Sequence, residues 1–261
     1  MTIFLHELRR GKLSLILWTA GISFMLGVCI LIYPEMSGQM NEISAMFADM
    51  GSFSAAFGMD QLNFGEFKGY FGVECGNTLG LGGALFAALL GIRTLSKEEE
   101  NHTAEFLMTH PISRTKIFTQ KLLAVIAQIL ILNLTIAIIT ASATMAIGES
   151  LPIRESGLLL LSHFLLQIEL AMITFGMSAL VKGGSLGLGI GISLGLYVMN
   201  LISNLIEAGK LLKYITPYAY ADSASIIGSG RFEIKYLLSG FAIAIICLGA
   251  GLYHYRKKDI S

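Results

Sequence analysis

The side chains of this chain that could do chemistry are a few acids, histidines and amides set within apolar sequence. Glu169 lies in the middle of a long apolar run, and His163 and Gln167 lie about one helical turn apart in the same run. An ionisable group at that depth in a bilayer costs at least ~2.5 kcal/mol unless it is paired or faces water. These residues therefore either line a polar pathway or form a hydrogen-bonded pair between helices.

Metal and enzyme chemistry have little support. His102 and His110 follow the acidic stretch Glu98–Glu100, but their spacing fits no tetrahedral metal site. His6 begins the stretch HELRR, which lacks the second histidine of HExxH, and no GxxxxGK[ST] phosphate-binding loop occurs. We expect this chain to contain no metal, no cofactor and no catalytic residues.

Composition indicates that the solvent of this chain is lipid. Hydrophobic residues make up 54% of the 261 residues and charged residues only 14%. Soluble domains carry about 25% charged residues. The formal net charge is +0, which leaves no electrostatic argument for nucleic-acid binding.

The apolar runs predict an all-α integral membrane protein with a single domain over residues 1–261. About 20 apolar residues in a helix cross the hydrocarbon core of a bilayer. Six stretches have this character, at roughly 13–33, 70–95, 119–147, 157–181, 185–206 and 236–254. Residues 207–235, between the last two spans, either dip back into the membrane or form an ordinary outer loop.

The distribution of Lys and Arg predicts the orientation. A cytoplasmic N-terminus and six spans place twelve of the 18 Lys and Arg side chains inside and six outside. Cytoplasmic loops carry the excess of positive charge in membrane proteins. Both termini are therefore expected in the cytoplasm.

Glycines recur every fourth residue in two of the predicted spans. Small residues at this spacing let two helix backbones approach closely in lipid. Packing within the subunit is one interpretation, and a dimer face or a sliding surface is the other. The glycines concerned are Gly72, Gly76 and Gly80 in the second span and Gly187, Gly191 and Gly195 in the fifth.

The most polar segment, residues 97–118, separates the second and third spans. The stretch Ser96–Glu99 has the S-x-x-E form of a capping box, which predicts a new helix starting just past the second span. Pro111 should end that helix, and Ser113 can cap the next one. An apolar patch at Phe106–Met108 would suit docking into a groove of a soluble partner.

This segment resembles a known family signature. The stretch EENHTAEFL at residues 99–107, then PISR at 111–114 and Lys121, is similar to the E-x-x-G-T-x-E-x-L-L…P-I-S-R…K segment of ABC-2 type transporter permeases. His102 stands where the family commonly has glycine. Residues 4–10 look like the family's N-terminal elbow helix, residues 213–222 like its outer-loop K-Y-x-[ST]-P segment, and residues 255–260 like its C-terminal ending.

The resemblance implies a bacterial inner-membrane exporter with a cytoplasmic coupling helix. That helix would sit on a separate ATPase subunit, present in two copies, which holds ATP and Mg²⁺. A second permease chain, identical or related, would complete the pathway. The cargo would be a hydrophobic or amphipathic compound such as a drug, an antimicrobial peptide or a lipid. The residues implied in ATPase coupling are Glu99, Glu100, His102, Thr103, Glu105, Phe106, Leu107, Pro111, Arg114 and, in a second contact, Lys182.

Two other functions remain open at this point. One is an ATPase-independent transporter or channel, in which Glu169 and Glu74 would serve as proton or ion sites. The other is a membrane anchor or sensor partner that binds an ATPase without transporting anything. His163, Gln167 and Glu169 are the expected pathway residues if the chain transports.

Overall fold

The structure, a computed structural model, describes residues 2–51, 54, 62–100, 112–150, 153–181 and 186–257. These residues form helices and connecting turns, with no β-strand among them. A π-helical turn, Thr78–Gly83, joins the α-helices Phe67–Asn77 and Ala84–Glu100, and two 3₁₀ helices, Glu207–Tyr214 and Pro217–Ala219, precede the α-helix Ser223–Ser229. The α-helices are α1 (Thr2–Asp49), α2 (Phe67–Asn77), α3 (Ala84–Glu100), α4 (Arg114–Ala146), α5 (Ile153–Ser178), α6 (Leu186–Leu205), α7 (Ser223–Ser229) and α8 (Ile234–Lys257).

The prediction of an all-helical chain with six membrane-length apolar helices is confirmed for the described residues. Each predicted span lies within or close to one helix, and most of the helices run beyond the predicted bounds. The apolar helices are Ile3–Gln39, Phe67–Glu98, Arg114–Ala146, Ile153–Ser178, Leu186–Leu205 and Ile234–Lys257. The second of them consists of α2, the π-helical turn and α3 in one continuous rod.

The first helix differs from its prediction. Phe4–Arg10 was expected to form a separate elbow, but α1 is one continuous helix of 48 residues. At ~1.5 Å per residue it is about 70 Å long, far more than the ~30 Å hydrocarbon core. Gly11, the residue most able to break the helix here, lies against the Gln128 side chain instead, where a Cβ would stand 2.3 Å from Oε1.

The predicted capping box at Ser96 is wrong. Ser96 lies inside α3, and its hydroxyl donates to the Ile92 carbonyl one turn earlier at 2.8 Å. A helix that is already running has no free N–H groups for a cap to satisfy. The cap at Ser113 is confirmed, since its hydroxyl accepts from the Lys116 backbone N–H at 3.3 Å at the start of α4.

The core is built around α5, which packs on α3, α4 and α8. α1 packs along α4, and α6 packs along α3. Phe118 of α4 meets Phe175 of α5 edge-on, with ring centroids 4.8 Å apart. α1, α4, α6 and α8 each leave large apolar side chains exposed, such as Phe24, Ile138, Leu194 and Ile246, which suits a surface bathed in lipid.

The start of α1 and the end of α8 lie at the same end of the bundle, which we call the basal end. Glu7 near the start of α1 contacts Lys97 near the end of α3 and Lys121 near the start of α4. Phe118 of α4 also packs on Tyr255 near the end of α8. The opposite end is the distal end.

The segment between α6 and α8 enters the bundle from the distal end. Tyr218 and Tyr220 are buried, and the Tyr220 hydroxyl reaches Glu169, in the second half of α5. Asp222 caps α7 by accepting from the Ser225 N–H at 3.0 Å. Tyr218 and Tyr220 of this segment therefore lie among the helices of the bundle.

Candidate functional site

A buried ion cluster joins three helices at the basal end. We call Glu7, Lys97, Glu98 and Lys121 the basal ion cluster. The Lys121 ammonium, 1% exposed, donates to Glu7 Oε1 at 2.9 Å, to Glu98 Oε1 at 2.9 Å and to the Thr94 carbonyl at 3.0 Å. The Lys97 ammonium contacts the other Glu7 oxygen.

The basal ion cluster fixes α1, α3 and α4 to one another. Separating one of these ions from its partners leaves a charge buried without compensation, which costs about 3–5 kcal/mol. The end of α3 therefore cannot shift alone, and a displacement there is passed to α1 and α4. Sequence reasoning did not identify this cluster, although charged residues beside long apolar runs were a signal.

The cluster lies at the root of the predicted coupling segment. α3 ends at Glu100 and α4 begins at Arg114, so both flanks of residues 101–111 emerge from the basal end. The Arg114 guanidinium donates to the Tyr255 and Arg256 carbonyls at 3.3 and 3.1 Å, which also ties the end of α8 to this place. A cation at a helix C-terminus satisfies its free carbonyls.

Most of the predicted coupling residues lie outside the described residues, namely His102, Thr103, Glu105, Phe106, Leu107, Pro111 and Lys182. Glu99 and Glu100 form the last residues of α3, and Arg114 opens α4. His102 and His110, considered above as metal ligands, are also outside. Among the described side chains, no three of the types His, Cys, Asp and Glu are grouped to hold a metal ion.

A second buried polar group lies in the middle of the bundle, on α4 and α5. Gln167 and His163 are fully or almost fully buried. Gln167 Oε1 accepts from Asn133 Nδ2 at 2.7 Å, while Gln167 Nε2 and Asn133 Oδ1 have no partner among the described residues. His163 Nδ1 lies 2.9 Å from the Leu159 carbonyl of its own helix.

The π-helical turn faces this polar group. A Cβ on Gly83 would stand 2.2 Å from Gln167 Nε2, and one on Gly80 would stand 3.8 Å from His163 Nε2. The missing side chain at Gly83 leaves room for the Gln167 amide, whereas a Cβ at Gly80 would make an ordinary van der Waals contact. π-Helical turns are rare and are frequent at functional sites, which marks this part of the second span as a place where the backbone geometry is unusual.

Glu169 lies on another face of α5 and is held by the distal segment. The Tyr220 hydroxyl donates to Glu169 Oε2 at 2.9 Å, and Glu169 Oε1 has no partner in the part of the chain described. Gly240 of α8 allows this approach, because a Cβ there would stand 2.1 Å from Oε1. Burial, and the neighbouring Glu169 carboxyl, raise the pKa of Tyr220 well above its ordinary value, so the phenol remains a donor.

The predicted packing glycines divide into two groups. Gly72 and Gly76 lie against Ile227 and Ser223 of α7, and Gly80 lies near His163. Gly187, Gly191 and Gly195 have no atom within 4 Å of where a Cβ would stand. The close approach of α6 to α3 uses Gly189 instead, which sequence reasoning missed.

The closest helix crossing was also missed by sequence reasoning. A Cβ on Gly176 of α5 would stand 2.3 Å from the Cys247 carbonyl oxygen of α8, and one on Gly251 would stand 2.4 Å from the Gly176 carbonyl oxygen. These glycines do not stand at four-residue spacing within either helix. This contact depends on which two helices pack together, and the spacing of residues along one helix does not reveal that.

A serine in α6 has the spacing of a hydrolase nucleophile without its surroundings. Gly191–Gly195 reads GISLG, the GxSxG form that requires a sharp turn from a strand to a helix. Ser193 lies instead in the middle of α6, where its hydroxyl is 3.3 Å from the Tyr218 hydroxyl. The strand-to-helix turn that a nucleophile of this kind requires is therefore absent at Ser193.

Among the cavities that the described residues form, three border polar or charged side chains named above. The basal cavity, about 450 Å³, lies between α1, α3, α4 and α6 and is bordered by Arg10, Trp18, Arg93 and Gln128 among others. The lateral cavity, about 590 Å³, is mainly apolar and also bordered by Trp18. Glu74 lines this second cavity and is half-buried. A distal cavity of about 60 Å³ is polar and is lined by His163.

Comparison with known proteins agrees with these observations. No curated protein matches the chain. A family profile described as "ABC-2 family transporter protein" matches residues 1–260, which is nearly the whole chain. Six apolar helices of membrane-spanning length accompany that match. The chain is therefore a multi-pass membrane protein that belongs to the ABC-2 transporter family, as a permease.

Proposed function

We propose that this chain is the membrane-spanning subunit of an ATP-driven exporter in a bacterial inner membrane. A separate ATPase, in two copies, would supply ATP and Mg²⁺ chemistry, and a second permease chain would complete the pathway. The cargo would be a hydrophobic or amphipathic compound. The observation that carries this proposal is the match of the whole chain to a transporter family.

The basal end is the proposed site of ATPase coupling. The described flanks of residues 97–118, at the end of α3 and the start of α4, lie beside the basal ion cluster. The residues proposed to contact the ATPase are those that the family resemblance implies. The buried ion pairs join the end of α3 to α1 and α4. A push on the segment would therefore move three helices together, which is how a local contact can shift a bundle between two arrangements.

Two further elements are assigned by the same proposal. Gly187, Gly191 and Gly195 present an open strip of backbone on α6 that suits contact with the second permease chain. His163, Gln167 and Glu169 are proposed to border the pathway. They are buried against neighbouring helices here, so they would meet cargo only in a rearranged bundle.

Co-purification from the native membrane tests the ATPase partnership. We expect a subunit with a P-loop, identified by mass spectrometry, to accompany the tagged chain and to hydrolyse ATP. The triple variant Glu105→Ala, Phe106→Ala, Leu107→Ala should lose it. A matched control is Leu211→Ala, Tyr214→Ala, Ile215→Ala, which removes three exposed side chains in the distal segment.

The opposite result has a clear consequence. If the wild-type chain brings down no ATPase, or if the control triple loses it equally, the proposed coupling segment is wrong. Transport driven by an ion gradient and abolished by Glu169→Gln or Glu74→Gln would then identify the chain as an ion-coupled transporter instead.

A further inference from the structure

The basal cavity is large enough for a ligand and has two unlike halves. At about 450 Å³ it falls within the ~300–1,000 Å³ of typical small-molecule sites. One half carries charged and amide side chains next to the basal ion cluster. The other half carries apolar side chains, including Trp18, Phe86 and Ile190. This division suits a molecule with a polar head and a hydrocarbon tail.

Basic side chains outnumber acidic ones among the described residues that line the polar half. Its lining includes Arg10, Arg93, Lys97 and Lys121 but one acid, Glu7. The two lysines are held by Glu7 and Glu98. Arg10 reaches Glu98 only at 3.8 Å, and the exposed Arg93 makes no hydrogen bond or ion pair with the described residues. Guanidinium groups placed this way favour a phosphate or carboxylate head.

An unpartnered buried acceptor lies in the same wall. Gln128 is 2% exposed, its Nε2 donates to the Ala124 carbonyl at 3.3 Å, and its Oε1 has no donor among the described residues. A buried acceptor without a donor is costly. Gln128 Oε1 lies against Gly11 at the cavity wall, so a turn of the amide toward the cavity would let it accept from a hydroxyl on a bound head group. This observation is independent of the charge and also points to a ligand.

The apolar half continues toward the bilayer. Trp18 borders both the basal cavity and the lateral cavity, where Leu17 and Met25 of α1 and Leu81 of the π-helical turn extend the apolar surface. A hydrocarbon chain whose head lies at Arg10 and Arg93 can follow this surface past Trp18. The charged end of the ligand then stays at the basal end of the bundle.

We propose that the basal cavity binds an anionic amphiphile, with its head at Arg10, Arg93 and Gln128 and its chain along Trp18. This inference rests on the proposed function, since it names the class of amphipathic cargo that an exporter of this kind would accept. The basal cavity would then select the cargo. This cavity lies at the end of the bundle from which the proposed coupling segment emerges.

Trp18 offers a direct probe, because it is the chain's 1 tryptophan. The purified full-length chain in detergent would be titrated with a lysophosphatidic acid whose acyl chain is brominated, and with a lysophosphatidylcholine carrying the same chain. Bromine quenches tryptophan on contact. We expect the phosphate head to quench at roughly tenfold lower concentration, because two arginines attract it.

Variants test the assignment of residues. Arg10→Gln with Arg93→Gln should bring the two lipids to equal quenching, and Gln128→Met should weaken quenching by the phosphate lipid. Arg154→Gln, an exposed arginine at the distal end, should leave the preference intact. Size-exclusion profiles and thermal unfolding verify that each variant folds. Equal quenching in the wild type, or an unchanged preference in the double variant, would overturn the proposal.

Inorganic phosphate separates an amphiphile from a free anion. At the same concentration as the lipid it should not relieve the quenching, because the chain contributes binding that phosphate lacks. Full relief would mean that the cavity binds a free anion, and the amphiphile proposal would fail. The assay needs no ATPase, so a failed co-purification leaves it intact, and a failed lipid preference leaves the proposed ATPase partnership intact.

Discussion

The two buried polar regions of this bundle differ in how completely they are satisfied. In the basal ion cluster the ammonium of Lys121 has three acceptors, and both oxygens of Glu7 meet a lysine. In the middle of the bundle Gln167, Asn133 and Glu169 each keep one atom without a partner among the described residues.

The difference separates a rigid joint from a region able to change partners. Charges buried in low dielectric hold their geometry, because any other arrangement leaves an ion uncompensated. The amides of Gln167 and Asn133 carry no charge, and hydrogen bonds of such groups between membrane helices average about 0.6 kcal/mol, so these amides exchange partners at lower cost. The basal end therefore suits the transmission of movement, and the middle of the bundle suits a rearranging pathway.

The largest expected effect on stability is at the basal ion cluster. Lys121→Met leaves Glu7 and Glu98 facing each other with less compensation, which should lower the free energy of unfolding by about 3–5 kcal/mol. Unfolding by SDS in mixed micelles measures this. Lys116→Met, an exposed lysine on the same helix, should change it by less than about 0.5 kcal/mol. Similar losses in both variants would show that the basal ion cluster does not hold α1, α3 and α4 together.

The same substitution in both regions sharpens the comparison. Glu7→Gln removes the charge that two lysines share, and we expect a loss of about 2–3 kcal/mol. Glu169→Gln keeps an acceptor for the Tyr220 hydroxyl and should cost less than about 1 kcal/mol. The measurement is the same SDS titration. Equal losses at the two positions would show that the basal ion cluster and the middle of the bundle are equally rigid.

Tyr220→Phe tests how the distal segment is anchored. It removes the donor to Glu169 and should cost about 1–2 kcal/mol, with faster proteolysis of residues 207–230. Because the pKa of Tyr220 is raised, the folded protein keeps a proton that the unfolded chain releases above about pH 10, so wild-type stability falls as pH rises beyond that point.

The phenylalanine variant should lose less stability than the wild type above that pH. Tyr214→Phe, at an exposed ring in the same segment, is the control and should behave as the wild type. An identical alkaline decline in the wild type and in Tyr220→Phe would contradict the anchoring role.

The smallest effect is expected at the amide pair. Asn133→Leu removes the donor to Gln167 Oε1 and should cost about 0.6 kcal/mol, with ~1.7 as the upper bound known for such pairs. Thr135→Val is the control, since its exposed hydroxyl bonds only to its own helix at Ile131. A fall of more than about 3 kcal/mol in the free energy of unfolding would show that this pair is held as firmly as the basal ion cluster.

Local patterns predicted some of these features and misled on others. Ser113 begins a helix after a break and caps it, whereas Ser96 has the capping-box spacing inside a helix that is already running. The two cannot be told apart without knowing where the preceding helix ends. Gly187, Gly191 and Gly195 form the regular stripe, yet Gly189 makes the close contact, because neighbouring helices decide which face is inside.

The sequence by itself determined the number of spans and the all-helical class of this protein. Hydrocarbon thickness requires about 20 apolar residues per crossing, and a helix satisfies its own backbone locally. Only the tertiary structure decided which charges are buried together and that Tyr220 reaches Glu169. Glu7 meets partners 90 and 114 residues away, and Tyr220 meets one 51 residues away. No local pattern carries such pairings, because they depend on how whole helices pack.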